Sequence, residues 1–291
     1  MKPAAFTYHA PESAAETVEL LSELGDEAKI IAGGQSLVPM MALRLAAFEH
    51  LIDLRKLTEL RGIDTDADTV RVGAGNTHAR VGRDRHVRHH VPLLHRATPL
   101  IGHFQIRNRG TIGGAVAHAD AAAEYPAVAL TLDARMRTLS PRGERTIDAA
   151  DYFTGLWSTA MEPDEMLVGI DFPAWPGRRG FAIEEFTRRA GDFAMAGAAV
   201  AIALDADSRI ERVGLGLFGL APTPLRARAA EAELLGRPAA EVDAEDIGRA
   251  ATAGLDAVPA DVHGSAAYRR RVGAVMVTRA WRRALEEASD D

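Results

Sequence analysis

Two glycine pairs carry the chemistry most legible in this sequence. In Ala32-Gly33-Gly34-Gln35-Ser36-Leu37, a short apolar run beginning at Lys29 enters a turn and then a helix start. Glycine has no Cβ, so the backbone of such a turn can approach a ligand closely. Exposed amide N–H groups followed by a helix N-terminus favour an anion, and a diphosphate in particular. Thr111-Ile112-Gly113-Gly114-Ala115 repeats the device. Either pair alone is most simply a tight turn. Two of them in neighbouring small units are better explained by one extended, phosphate-bearing ligand between them.

Other patterns do not rise to a site. Gly214, Gly216 and Gly219 spell a literal Gly-x-Gly-x-x-Gly, but the dinucleotide fingerprint must follow a strand and open a helix. Here Pro222 and Pro224 follow, so the stretch reads as a strand that tolerates close backbone approach. His86, His89, His90 and His95 lack the acidic residue of a His-Glu-x-x-His pattern and read as a solvated helix face. Arg269-Arg270-Arg271 and Arg282-Arg283 read as a solvated helix surface or a subunit contact. Trp157, Trp175 and Trp281 read as packing residues. With no cysteine in 291 residues, this chain can hold neither a thiolate nucleophile nor a cysteine-ligated iron–sulfur cluster. Any electrons it handles must reside on an organic cofactor.

The elements that position the glycine loops are well punctuated. Phe6 to His9 reads as a strand, and Ser13 with Glu16 as the capping box of a helix ended by Gly25. Lys29 to Ala32 and His50 to Leu54 read as strands flanking a short helix over Leu37 to Leu45, a β-α-β-α-β unit. Thr69 to Gly75 reads as a strand, Arg80 to Ile101 as a helical stretch, and Gln105 to Gly114 as a loop. Glu124 to Leu132 is a predicted helix. Arg135 to Ser140 and Glu144 to Ile147 are predicted to pair, and Met166 to Phe172 forms a further strand. After the Pro/Gly-rich boundary Ala174 to Gly180, three stretches read as an antiparallel meander: Phe181–Arg188, Ala194–Leu204 and Ile210–Leu220. Two helices follow, Arg226–Leu235 and Tyr268–Ala288. Strands and helices segregated in this way predict α+β.

Several motifs in register resemble the FAD-binding medium subunits of the molybdenum hydroxylase family, the xanthine dehydrogenase and aerobic carbon monoxide dehydrogenase type. They are Phe6-x-Tyr8 with Pro11, Ala32 through Pro39, Ile106-Arg107-Asn108-x-Gly110-Thr111-Ile112-Gly113-Gly114, and Ala117-His118-Ala119-Asp120. Arg188 through Ala194, Pro222-Thr223-Pro224-x-Arg226 and Gly264-Ser265-Ala266-x-Tyr268-Arg269 complete the set, so the likeness spans nearly the whole chain. It implies a two-lobed FAD-binding domain of the vanillyl-alcohol-oxidase/PCMH type over about 1–175, with lobes of about 1–62 and 63–175, and a C-terminal α+β domain over 178–291. By resemblance Ile30, Ile31, Ala32, Gly33, Gly34, Gln35, Ser36 and Leu37 line one side of the FAD site. Thr111, Ile112, Gly113, Gly114 and Ala115 would hold the diphosphate from the other, Ile101 would lie near the flavin, and Glu124 and Leu167 match further positions that touch FAD. Ala115 replaces a frequent asparagine or serine, Glu124 stands where some relatives have aspartate, and Glu184-Glu185 occupies a segment that often supplies a lysine.

The resemblance further implies an oxidoreductase subunit that contributes no catalytic acid or base and no metal ligand. It would pass electrons from the [2Fe–2S] clusters of a small subunit, through FAD, to an external acceptor. The molybdopterin would sit on a large subunit, and the assembly would be a dimer of heterotrimers. The alternatives are a stand-alone flavin reductase or oxidase on the same fold, and a non-catalytic assembly protein. A net charge of -7 argues against a nucleic-acid surface. The N-terminus has no apolar signal core, and runs such as Met195 to Leu204 are too short to span a bilayer, which makes the cytoplasm the expected location.

Overall fold

The computed structural model describes residues 2–66 and 68–290 and builds them into three main sheets in chain order. The first contains β1 (Thr7–His9), β2 (Ala28–Ile31) and β3 (His50–Asp53), all parallel in the order β1-β3-β2. Helices Ala14–Leu24 and Leu37–Ala42 make its crossovers. Ser13 Oγ accepts the Glu16 amide, as the capping box requires, whereas the Glu16 carboxylate accepts the Glu12 amide, one residue earlier than the usual reciprocal bond. Gly25 ends the helix at φ 54°, a left-handed angle that suits glycine.

The second sheet is antiparallel, with β4 (Ile63–Thr65), β5 (Thr69–Gly73), β6 (Arg135–Ser140) and β7 (Gly143–Asp148). A small hairpin of β8 (Phe153–Gly155) and β9 (Ser158–Thr159) precedes its central strand β10 (Met166–Pro173). The order is β4-β5-β10-β6-β7. Residues Met166 to Phe172 are all buried because β10 serves two cores. Met166 and Val168 pack with Val18, Leu21 and Ile52 of the first unit, while Leu167, Ile170 and Phe172 join the second unit's own core. A strand covered on both faces reads as a continuous apolar run.

The expected helical stretch over Arg80 to Ile101 is broken into helices His78–Val81, Arg85–His90 and Pro92–Ala97 and a 3-10 turn Thr98–Leu100. Asp84 caps a fresh helix by accepting the amides of His86 and Val87, and Pro92 cannot continue the one before it. The expected loop Gln105 to Gly114 also differs. It holds a helical turn, Phe104–Arg107, and leads directly into the helix Ile112–His118.

The third sheet is the predicted meander, β11 (Arg178–Phe186), β12 (Ala196–Leu204) and β13 (Ile210–Phe218), with a two-residue β14 (Leu225–Arg226). Alternation divides it cleanly. Phe181, Ile183, Ala199, Ala201 and Ala203 face the second unit, and Ala182, Ala198, Val200 and Ile202 face the helices on the other side. Close approach explains Gly214 and Gly216. A Cβ on either would overlap Thr131 of the 124–131 helix, so the rejected fingerprint is a strand pressed against a helix.

Helices Arg228–Leu234, Ala244–Thr252 and Ala266–Asp290 cover the outer face. The middle one was not predicted, although Asp243 caps it by accepting the amides of Glu245 and Asp246. Among the described residues no helix is long and apolar enough to cross a membrane.

Two side-chain expectations are corrected. Trp175 and Trp281 are buried, but Trp157 is 53% exposed, stacks on His118 and donates to Asp120 Oδ2 at 3.2 Å. Arg269 is buried rather than solvated. It pairs with Asp261 at 2.6 Å and donates to the Met195 carbonyl, pinning the last helix to the loop before β12.

Candidate functional site

The first glycine turn leaves the C-terminal end of β2, where parallel strands open a crevice. Gly34 takes φ 71°, the left-handed angle that reverses the chain toward the Leu37–Ala42 helix. Gln35 Nε2 donates to the Gly33 carbonyl at 2.9 Å and braces the turn. The amides of Gly33, Gly34, Gln35, Ser36 and Leu37 have no acceptor among the described residues, although all five residues are half-buried. Half-buried amides with no protein acceptor remain open to solvent or to a ligand, and a consecutive run of five at the start of a helix offers a cradle for an anion with several acceptor oxygens.

The second glycine loop is built the opposite way. Ile112 donates its amide to Asn76 O at 3.0 Å, Gly113 to Ala74 O at 2.9 Å, Gly114 to Thr111 Oγ1 at 3.0 Å and Ala115 to Thr111 O at 3.0 Å. Its amides are spent inside the protein. This corrects the expectation of two equal amide cradles: the second loop offers shape, and the first offers the donors. A Cβ on Gly113 would overlap the Ala74 side chain and lie 2.7 Å from Ala74 O, so this glycine lets the helix sit on the end of β5.

The two loops meet. A Cβ on Gly33 would overlap the Arg109 carbonyl oxygen and lie 2.6 Å from Gly110 Cα. A Cβ on Gly114 would lie 3.5 Å from Ala32 Cβ. The amide cradle thus opens where the first unit's turn touches the second unit's Arg109-Gly110-Thr111 segment. Gly110 in turn lies against the His78 ring. His78 is buried, and burial followed by the Arg107 charge lowers its pKa to about 4, so the ring is neutral near pH 7.

Ile101 and Glu124 belong to another part of the site. Arg107 Nη1 donates to the carbonyls of Pro99, Ile101 and Gly102 at 3.3, 2.9 and 2.9 Å, folding 99–107 into a tight wall. Between this wall and the loop after β11 lies an open cavity of about 730 Å³, within the range of ligand sites. Leu100, His103, Phe104, Glu185 and Gly191 line it. Glu124 is buried in the first turn of the 124–131 helix. Burial, then the neighbouring Glu185 carboxylate, raises its pKa to about 8. Burial also raises Glu185, to about 7.

Ile30 and Ile31 lie on β2, and Ile31 Cδ1 would touch a Cβ on Gly34 at 3.4 Å. Leu167 is buried in β10 at an irregularity of its pairing with β6, in the same core as Ile112, with Ile101 and Ala115 packed against that core. Residues 30–37 and 111–115 are therefore brought together, whereas Glu124 is linked to the cavity through the lining carboxylate of Glu185, whose charge it feels. Arg107 and Gly110 were quoted as motif without a role and Arg109 stood at its open position, and the structure gives them one: a guanidinium brace and the backbone on which Gly33 rests. Among the described residues, none of His86, His89, His90 and His95 joins a carboxylate cluster of metal-binding dimensions.

Comparison with known proteins identifies the family. Residues 4–175 match the model of the FAD binding domain in molybdopterin dehydrogenase, and residues 181–284 that of the CO dehydrogenase flavoprotein C-terminal domain. The chain is 40% identical to the 6-hydroxypseudooxynicotine dehydrogenase complex subunit alpha of Paenarthrobacter nicotinovorans, over 99% of this chain and 97% of that one. It is 38% identical to the carbon monoxide dehydrogenase medium chain of Afipia carboxidovorans over the full length of both. Among solved structures, carbon monoxide dehydrogenase from Hydrogenophaga pseudoflava superposes with TM-score 0.95 at 40% identity, covering 99% of each chain.

Proposed function

The chain belongs to the FAD-binding medium subunits of the molybdenum hydroxylases, and from that premise we propose that its own work is to seat FAD between the Gly33–Leu37 turn and the 99–107 wall. The observation that carries this reading is the run of five unpaired amides at the meeting of two units. They fit a diphosphate, which brings several acceptor oxygens and negative charge. Gly33 leaves the closest approach free of side chain, Ile30 to Leu37 form one wall, and Thr111 to Ala115 with Leu167 form the other. The cavity beside Ile101, Glu124 and Glu185 is large enough for the ring system.

Bound there, FAD supplies a centre that accepts electrons one at a time and releases them in pairs. The electrons come from [2Fe–2S] clusters on a small subunit, and the molybdopterin resides on a large one. The cysteine-free chain has no ligands for a cluster of its own. The chain binds, orients and electrostatically tunes the cofactor. We place the division between domains at 1–175 and 178–291, with lobes of about 1–62 and 63–175. The assembly we propose is a dimer of heterotrimers in the cytoplasm, discharging to oxygen, NAD or a quinone.

The test is purification of the tagged chain from its native host, followed by a visible absorption spectrum. Flavin bands, FAD released on denaturation and two co-purifying subunits are the expected result. A second reading has one observation in its favour: Glu185 provides, in the C-terminal part, the acid that a stand-alone flavoenzyme would need. FAD without partners, and turnover by the single chain, would favour it.

A further inference from the structure

Two neighbouring glutamates of β11 have opposite fates. Glu184 faces the last helix and is ion-paired with Arg283. Glu185 lies on the other face, in line with Phe181 and Ile183, and lines the cavity. Its Oε2 is buried and makes no hydrogen bond among the described residues. The second carboxyl close by, Glu124, is 6% exposed and also lacks an ion pair among the described residues. The charges around the pair are mixed, and no cation bonds to either carboxyl among the described residues. Asp120, in the turn before the 124–131 helix, pushes Glu124 further toward its neutral form. On the opposite wall Arg107 brings a guanidinium charge to the cavity, held in place by three backbone carbonyls rather than by either glutamate, and His103 is packed against Gly191.

A buried carboxyl without a partner is costly when ionised and inexpensive when protonated. Such a group in the wall of a redox site binds a proton more tightly once negative charge arrives beside it. By linkage, the proton then makes the arrival of that charge more favourable.

We propose that Glu185, with Glu124 behind it, is a proton-accepting pair that neutralises negative charge delivered to this cavity. The inference rests on the reading that the flavin ring occupies the cavity. Two electrons come from the iron–sulfur donors, or from a chemical reductant in vitro. One proton comes from solvent through the open side of the cavity and adds to a Glu185 carboxylate oxygen, forming one O–H bond and breaking none in the protein. When the electron pair leaves for the acceptor, the proton returns to solvent. Glu185 already titrates near neutrality, since burial raises it to about 7, so its proton occupancy responds within the working range.

The experiment uses the FAD-loaded chain, wild type beside Glu185→Gln and Glu185→Asp, with FAD content fixed first from the visible spectrum. Protons taken up per flavin reduced are then measured anaerobically with an indicator dye at several pH values. Wild type should take up as much as about one proton more than Glu185→Gln at about pH 8, and almost none more at about pH 5, where the carboxyl is already protonated. Glu185→Asp should restore the uptake. Equal uptake in wild type and Glu185→Gln at every pH, with full flavin in both, would overturn the proposal while leaving the FAD site intact. A wild type that binds no FAD, even within its complex, would instead remove the reading beneath it.

Discussion

Gly33→Ala is the sharpest probe of how the two units meet over the cofactor. The new methyl would lie inside the Arg109 carbonyl oxygen and 2.6 Å from Gly110 Cα, where carbon atoms ordinarily keep about 3.5 Å. Both neighbours are backbone, so neither can rotate aside, and the turn must retreat from the Arg109-Gly110 segment by about 1 Å. Overpacking of this kind costs about 1–3 kcal/mol. The retreat also carries the five amides of Gly33 to Leu37 away from the opposite wall. FAD affinity should therefore fall by about tenfold to about a hundredfold, with a lower Tm for the apo chain. The assay is fluorescence titration of the deflavinated protein with FAD, alongside thermal unfolding. Gly143→Ala is the control, because φ 108° makes it strained while nothing lies within 4 Å of the new atom and the turn is remote from the site. Wild-type affinity and wild-type Tm in Gly33→Ala would refute the contact itself. An unchanged affinity with a lowered Tm would keep the contact and remove the cofactor from this turn.

Gly113→Ala should act on the fold before the cofactor, since its methyl meets Ala74 rather than open space; apo thermal unfolding should show it, and a wild-type apo Tm would count against the packing. Arg226 is 5% exposed at its side chain, pairs with Glu231 at 2.6 Å and with Asp133, and donates to the Leu130 and Val213 carbonyls. Arg226→Ala strands the buried Glu231 and should cost about 3–5 kcal/mol in urea unfolding. His78 has a native pKa near 4 against 6.5 unfolded, so below pH 6.5 the unfolded chain binds a proton that the native chain refuses, and stability should fall as pH drops toward 4. That slope should flatten in His78→Gln. Glu124 has the opposite dependence: with a native pKa near 8 against 4.5 unfolded, its contribution is lost as pH rises from 4.5 to 8. Glu124→Gln should thus be more stable than wild type at pH 8, an advantage that shrinks toward pH 4.5, by thermal melts of the apo protein.

Much of the architecture is written locally. Ser13, Gly25 and Gly34 act through their own backbone angles or the next turn's amides, so strand and helix positions near them can be read without knowing the fold, whereas the helix break at Pro92 was local in cause and was passed over. The meander was legible because period-two alternation reports the two faces of β11 to β13 directly. The 244–252 helix escaped because its apolar residues are mostly alanine, which scarcely interrupts a polar pattern.

What the chain could not disclose by itself is which polar groups are left over after folding. Both glycine loops look alike as strings of residues. Thr111 takes the amides of Gly114 and Ala115 locally, but only the tertiary structure brings Asn76 and Ala74 to those of Ile112 and Gly113 and leaves those of Gly33 to Leu37 free. The same holds for Glu184 and Glu185, adjacent and chemically identical, of which one meets Arg283 from 99 residues away and the other an uncompensated cavity wall. It holds too for Arg269, which local charge makes a surface residue and Asp261 with the Met195 carbonyl make a buried one. Composition and motif determined the family and the placement of the turns, because those depend on neighbours along the chain. Free donors, unpaired acids and buried cations were decided by partners distant in sequence, because hydrogen-bond saturation and desolvation are properties of the packed molecule.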